Sequence, residues 1–365
     1  MTGAFLLLAF LLGCSGRPES LQWVEWSREP FALATDQQRL VLLDLGTEWC
    51  HWCHVMHDTT YADPAVIAEL EAGYVAVRVD ADLRPDLANR YEDYGWPATV
   101  IFAADGTELG KFQGYVPPER MAAILAAFRA DPTPGPSISA APVFAPAVGL
   151  ALPTAVRDEL VSRLVDGWDV AHGGWGSVHK FIDADLVELS LRRARGGDAQ
   201  SAERVLEVLR LQRQLVDPVW GGVYQYSDGG VWTNPHFEKI MQIQAWNLRS
   251  YALATSQLGQ PDEAGALIQR YLTEFMTSPT KAFYTSQDAD LIPGEHAETY
   301  FALDDAGRRA LGIPKIDKRI YSRENGWLIE ALALRHAATG DPAARKMAIF
   351  AADYIGENRD IGDGG

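Results

Sequence analysis

The chain has 365 residues, more than one domain usually holds, so two domains are expected, each large enough to bury its own core. A hydrophobic share of 47% with 22% charged residues describes a globular protein, and the formal net charge of −17 leaves no basic surface. Nucleic acid and anionic membrane are therefore excluded as expected partners, in favour of a neutral ligand or another protein.

The opening "MTGAFLLLAFLLGC" is apolar, too short to span a bilayer, and ends in Gly13 and Cys14. It resembles a lipoprotein-type signal peptide over residues 1–14, with "LLGC" as the lipobox. Cys14 would then be the lipidated first residue of an exported protein in the cell envelope or periplasm, touching membrane only through that anchor. Of the three cysteines, Cys50 and Cys53 remain after Cys14. An exported chain without a disulfide framework makes that pair functional rather than a staple.

Residues 21–130 alternate in period. "RLVLLDL" at 39–45 reads as a buried strand, the segment after Cys50 as a helix and "YVAVRVD" at 74–80 as a second strand. "RPDLANRYEDYG" at 84–95 is polar and helical. A hairpin at 98–112 turns at Asp105-Gly106, and "PPERMAAILAAFRA" at 117–130 is a closing helix that starts with prolines. The order β-α-β-α-β-β-α is that of a thioredoxin-like α/β domain. A proline-rich connector follows at 131–150, with five prolines between Asp131 and Pro146.

From 151 to 365 the pattern is helical, with amphipathic stretches near 154–167, 182–195, 199–216, 237–258, 261–277, 323–339 and 342–357. Gly- and aromatic-rich loops begin at 172, 220 and 281, and Gly173 and Gly221 are 48 positions apart. That spacing suits one helical hairpin per repeat and an α/α toroid, an all-α domain. The chain stops in "RDIGDGG", where a further loop begins, so a truncated toroid and a fragment are expected.

"TEWCHWCHVMH", Thr47 to His57, fits three chemistries: a thiol redox pair, covalent haem through C-x-x-C-H, or a metal cluster. A Cys-x-x-Cys between strand and helix places Cys50 at the helix N-terminus, where backbone N–H groups stabilise a thiolate. Cys50 is then the nucleophile and Cys53 resolves the mixed disulfide. Asp44 stands inside an apolar run, where a carboxyl is costly without purpose, and could accept the proton of Cys53. Pro97 starts a strand, which favours a cis bond or an edge, and its missing N–H would leave neighbouring backbone for an incoming peptide. Haem needs neither the acid nor the proline. Cys50, Cys53, His54 and His57 share one helix face, which cannot surround an ion, so no metal and no cofactor is expected. His51, between the cysteines, could stabilise the Cys50 thiolate when protonated.

Trp49-Cys50-x-x-Cys53, Asp44, Pro97 and the Gly106 hairpin together look like a thioredoxin fold. More narrowly, "CHWCHVM" resembles the thioredoxin-like domain of a family in which it is fused to a six-hairpin-glycosidase-like helical domain, the family that includes spermatogenesis-associated protein 20. "GGWGSVHKF", "VWTNPHFEKIMQIQAWNL", "FYTSQDAD" and "ENGWLIEALAL" are similar to that family's loop motifs. The chain departs from it at Trp49 and Asp44, where small hydroxyl residues are expected. That makes the redox site more like ordinary thioredoxin, with Trp49 counted among its residues.

The resemblance implies a thiol-disulfide oxidoreductase acting on a protein disulfide or dithiol, with the helical domain recognising substrate or partner, including a possible carbohydrate ligand. Toroids of this kind hold ligands on loop residues, here Lys180, His236, Glu238, Lys239, Asp288 and Asp290. Glu238 with Asp288 or Asp290 is the candidate carboxylate pair for glycoside hydrolysis. Two alternatives stay open: a carbohydrate-active hydrolase or epimerase with a regulatory redox domain, and a non-catalytic binding module.

Overall fold

A computed structural model describes residues 21–91, 95–138, 153–292 and 297–359. The segment expected to be a signal peptide, with Cys14, most of the proline-rich connector and the final glycines lie outside the described residues. The described chain forms two compact units. One holds the residues up to Gly46 and from Met56 to 138; the other holds Thr47–Val55 and everything described from 153 onward.

The first unit runs α1 (Glu29–Gln37), β1 (Leu40–Gly46), α2 (His51–Asp58), α3 (Pro64–Gly73), β2 (Tyr74–Asp80), α4 (Pro85–Tyr91), β3 (Ala98–Phe102), β4 (Glu108–Gln113) and α5 (Pro118–Ala130), with the start of α2 counted in the second unit. Its sheet has the order β2-β1-β3-β4. β1 and β2 are parallel, with Leu40 opposite Tyr74 and Gly46 opposite Asp80, while β3 is antiparallel to both β1 and β4. A crossover between parallel strands followed by an antiparallel hairpin is the thioredoxin topology.

Why β1 reads as a continuous apolar run follows from its central place. Val41, Leu43 and Leu45 join Val75, Val77, Val79 and Tyr91 in one core, while Leu42 joins Met56, Val66, Leu70 and Leu125 in the core on the opposite face. Both faces are covered, so alternation in β1 leaves no position for a polar residue except at the strand's end. Asp44 has the parity of Leu42 and therefore shares its face.

Two helices go beyond the expected order. α1 precedes β1, and the single helix expected after Cys50 is two, α2 and α3. α3 has an Asp63 cap whose carboxylate accepts from the backbone N–H of Ala65 and Val66, with Pro64 in its first turn. Aspartate then proline is a sound start signal that the run of cysteines and histidines obscured.

The second unit contains α6 (Thr154–Asp166), α7 (Ala184–Arg195), α8 (Ala199–Gln212), strands β5 (Tyr226–Ser227), β6 (Pro235–His236) and β7 (Lys239–Ile240), α9 (Met241–Leu258), α10 (Glu263–Tyr271), β8 (Ser286–Gln287), α11 (Glu298–Phe301), α12 (Asp305–Leu311), β9 (Ile316–Asp317), α13 (Ser322–Thr339) and α14 (Pro342–Arg359). α7, α9 and α13 pack in succession, and each carries an outer partner: α8, α10 and α14 respectively. Two layers of helical hairpins are the architecture expected of an α/α toroid segment. α11 and α12 were missed because each is short.

The hairpin loops repeat in detail. Each is closed by a single antiparallel bridge, Trp168 with Trp175, Val216 with Val223 and Thr277 with Phe283. In the first two, an aspartate carbonyl accepts from a glycine four residues on: Gly173 N–H to Asp169, and Gly221 N–H to Asp217. These glycines have φ of 68° and 77°, and a Cβ on Gly221 would lie 2.1 Å from the Leu267 carbonyl oxygen, so no other residue fits there. A side-chain amide from the next inner helix clamps two of the loops. Gln244 bonds both backbone groups of Val223, and Asn325 does the same for Phe283.

Candidate redox site

β1 ends at Gly46 and α2 begins at His51, so Cys50 is the last residue before the helix. Its carbonyl accepts from the N–H of Cys53 and His54, and its sulfur lies 3.1 Å from the Cys53 nitrogen. Cys50 and Cys53 form a disulfide with sulfurs 2.06 Å apart. The pair is recessed: Cys50 is 4% exposed, Trp49 beside it 7%, and Cys53 partly buried.

Asp44 is buried and accepts a 2.7 Å hydrogen bond from Arg78 Nε. Burial raises its carboxyl above the ordinary value, with Arg78 opposing. The guanidinium also lies over the Trp23 ring, 3.9 Å from its centre, and contacts His57 Nδ1 at 2.6 Å. Burial thus inclines this carboxyl toward its protonated form. Pro97 follows a cis peptide bond and its carbonyl accepts from Gly114 N–H. Ala98 pairs with Leu45, which puts Pro97 at the end of β3 level with the end of β1 that leads to Cys50.

The second unit places acids against the CxxC segment that belongs to it. His51 Nδ1 donates to Asp290 Oδ2 at 2.8 Å, both groups buried. His54 Nε2 donates to the Glu48 carbonyl, and its Nδ1 faces Asp288 and Asp290 at 3.9 and 3.8 Å. The hydrogen bond to Asp290 raises the His51 imidazole, and the nearby Asp290 and Asp288 carboxylates raise that of His54. Glu238, 3% exposed, has one carboxyl oxygen without a hydrogen-bond partner. Burial lifts Glu238 to about 7 and Asp288 to about 6. Glu238 does not start a helix; it stands just before β7, three residues ahead of α9. His236 stacks on Tyr226 with ring centres 4.3 Å apart.

Sequence reasoning named Glu238, Asp288 and Asp290 as a sugar-cleaving set; their ties to His51 and His54 were not readable, because 239 residues separate His51 from Asp290. The four-ligand metal set on α2 is not assembled, since both cysteines are in the disulfide and His57 meets Arg78. Among the described residues, His54, Asp288 and Asp290 have ligand atoms all within 4.8 Å of one another that could hold a small cation.

Lys180 and Lys239 require correction as loop residues for substrate. Both are fully buried. Lys180 Nζ donates to Asp169 Oδ2 at 2.7 Å and to the carbonyls of Gly173 and Gly176. Lys239 Nζ donates to Asp217 Oδ2 at 2.7 Å and to the Gly221 carbonyl, while Arg308 reaches the same Asp217 oxygen at 2.7 Å. Each lysine latches one glycine loop shut. A signal existed in the paired spacing Asp169–Gly173 and Asp217–Gly221.

Residues 10–129 match the family model described as Thioredox_DsbH, protein of unknown function, DUF255. The chain is 26% identical over 336 residues to an uncharacterized protein of Caenorhabditis elegans, covering 79% of this chain and 44% of that one. It is 25% identical over 314 residues to spermatogenesis-associated protein 20 of Homo sapiens, covering 75% and 39%. The chain thus spans less than half the length of these curated relatives. Among solved structures, a thioredoxin from Thermus thermophilus is 30% identical and covers 30% of this chain and 87% of its own, with a TM-score of 0.28. A family 76 glycoside hydrolase from a bovine Bacteroides thetaiotaomicron strain is 14% identical and covers 56% and 42%, with a TM-score of 0.42. A thioredoxin-like domain matching the DUF255 model, followed by a helical-hairpin region and similar over three quarters of the chain to spermatogenesis-associated protein 20, is what the sequence encodes.

Proposed function

We propose that the chain is a thiol-disulfide oxidoreductase whose helical region takes part in choosing the substrate. The observation that carries this reading is the Cys50–Cys53 disulfide at the start of α2, directly after the central strand of a thioredoxin sheet. In the reduced form the Cys50 thiolate attacks one sulfur of a substrate disulfide and expels the other as a thiolate. The Cys53 thiol loses its proton, with Asp44 as the proposed acceptor, and attacks Cys50 Sγ. The substrate leaves as a dithiol and the Cys50–Cys53 disulfide remains. Run backwards, the same steps oxidise a dithiol. Pro97 is the proposed rest for the substrate backbone, and Trp49 packs beside the nucleophile.

Because Cys50 is nearly buried, exchange favours substrates that can carry their sulfur to a recessed pair. No second activity is proposed. Carbohydrate remains a proposed ligand of the helical region only. Export with a lipid on Cys14 is likewise proposed, and labelled palmitate incorporation that survives Cys14→Ala would refute it.

The direct test is the equilibrium of the chain from Ser15 onward in glutathione buffers, with free thiols alkylated and counted by mass. A single two-electron transition, absent in Cys50→Ser, is expected. A pair that stays oxidised or reduced throughout would sink the oxidoreductase reading.

A further inference from the structure

We propose that the cavity beside the dipeptide between the cysteines is a subsite for a cationic side chain, a lysine or arginine adjoining the substrate's reactive sulfur. The identity of that substrate rests on the oxidoreductase reading; the charge preference of the cavity does not. The cavity has a volume of about 310 Å³, and His51 and Trp52 form part of its wall. Those two residues are the dipeptide that separates Cys50 from Cys53, so an occupant touches the segment that carries the cysteines. Four carboxyl side chains line the same space, Asp228, Glu238, Asp290 and Glu298, and among the described residues no lysine or arginine does. A carboxylate or phosphate ligand would meet four carboxyl groups there, and the His51 imidazole on the same wall is already paired with Asp290.

Glu238 is what points to a ligand rather than to a merely acidic wall. It is 3% exposed, lines the cavity, and its Oε2 has no hydrogen-bond partner. Asp290 already accepts from His51, and Asp228 accepts from the Gly229 N–H and approaches His179. Glu238 therefore has the unmet acceptor, and a buried acceptor without a donor is a rare and unfavourable arrangement. An ammonium or guanidinium would supply both the donor and the opposite charge. Trp52 and Phe237 offer an apolar wall for the methylene stem and, in Trp52, a ring for the cation. The volume is at the small end of the roughly 300–1,000 Å³ of ligand pockets, suited to one side chain rather than an oligosaccharide.

The test uses the reduced chain and disulfide-linked peptides that differ only in the residue next to cysteine: lysine, norleucine or glutamate. The lysine peptide is expected to exchange with kcat/KM about tenfold above norleucine, with glutamate slowest, and the lysine-to-norleucine ratio is expected to fall toward one in Glu238→Gln. Glu298→Gln, an exposed substitution, is expected to lower the ratio about twofold and keeps the test intact should the Glu238 variant fold poorly. Equal wild-type rates for lysine and norleucine would overturn the subsite, as would a ratio unchanged in both variants. A second measurement avoids redox chemistry: calorimetric titration of the oxidised chain with cysteine-free lysine and norleucine peptides, followed by competition with n-butylammonium or a neutral polyol. Preferential lysine binding displaced by butylammonium supports the subsite even if no peptide exchanges, in which case the oxidoreductase reading alone fails. Displacement by the polyol and not by butylammonium would assign the cavity to sugars and overturn the proposal.

Discussion

Glu238 and Lys239 are adjacent, both are buried, and they meet opposite fates. Lys239 enters a closed network in which Asp217 receives Lys239 and Arg308 together and the ammonium also reaches a carbonyl. Although burial opposes it, that pairing holds the Asp217 carboxyl below its ordinary value. Glu238 has no such partner for Oε2, and burial lifts it to about 7. A buried charge is thus ambiguous until its hydrogen bonds are counted. Full pairing marks structure, and an open valence marks a site.

The comparison breaks if the latch proves dispensable. Asp217→Asn leaves Lys239 and Arg308 buried without their counter-charge, which should cost about 3–5 kcal/mol in urea unfolding. A loss under 1 kcal/mol would show that the network is not structural. Glu238→Gln should behave in the opposite sense, with a pH signature. The folded chain keeps the Glu238 proton up to about 7, whereas the unfolded chain releases it near the ordinary 4.5. The folded pKa is raised and the group is an acid, so stability falls as pH rises from about 4.5 to 7 and stays low above. The glutamine variant, which cannot ionise, should gain up to about 3 kcal/mol over wild type at pH 8 and nothing at pH 4. An equal difference at both pH values would mean that the charge is not the cause. The smallest effect belongs to His51. Its bond to Asp290 favours the imidazolium, which stabilises a thiolate, so His51→Ala should make the pair about 30 mV more reducing. A shift toward a more oxidising potential would contradict that role.

Legibility followed the range of the interaction. The apolar run of β1, the out-of-place Asp44, the cysteines at a strand-to-helix junction and the 48-residue loop spacing are all local, and they located the sheet, the cysteine pair and the helical hairpins. α1 and α3 were not legible for different reasons: α1 starts without a capping side chain, and the Asp63-Pro64 start of α3 follows closely on the helix of the cysteines and histidines. The helical-domain residues were found but given the wrong company. Lys180 and Lys239 stand in loops rich in glycine and aromatics, as ligand-binding residues do, and only tertiary structure shows Asp169 and Asp217 beneath them. Asp290 looked like half of a hydrolytic pair because nothing near it in sequence announces His51.

The lysine latches also bear on how such a scaffold acquires new uses. Once Asp169 and Lys180 close one loop, and Asp217 and Lys239 close the next, the position just before each lysine carries no duty in holding the loop. In one copy it is His179, half-exposed and facing Asp228 at 3.5 Å; in the other it is Glu238, sealed inside a cavity. A lysine-aspartate fastener in each of two successive hairpins lets the residue before the lysine diverge, so chemistry can be installed in one copy while the other remains scaffold.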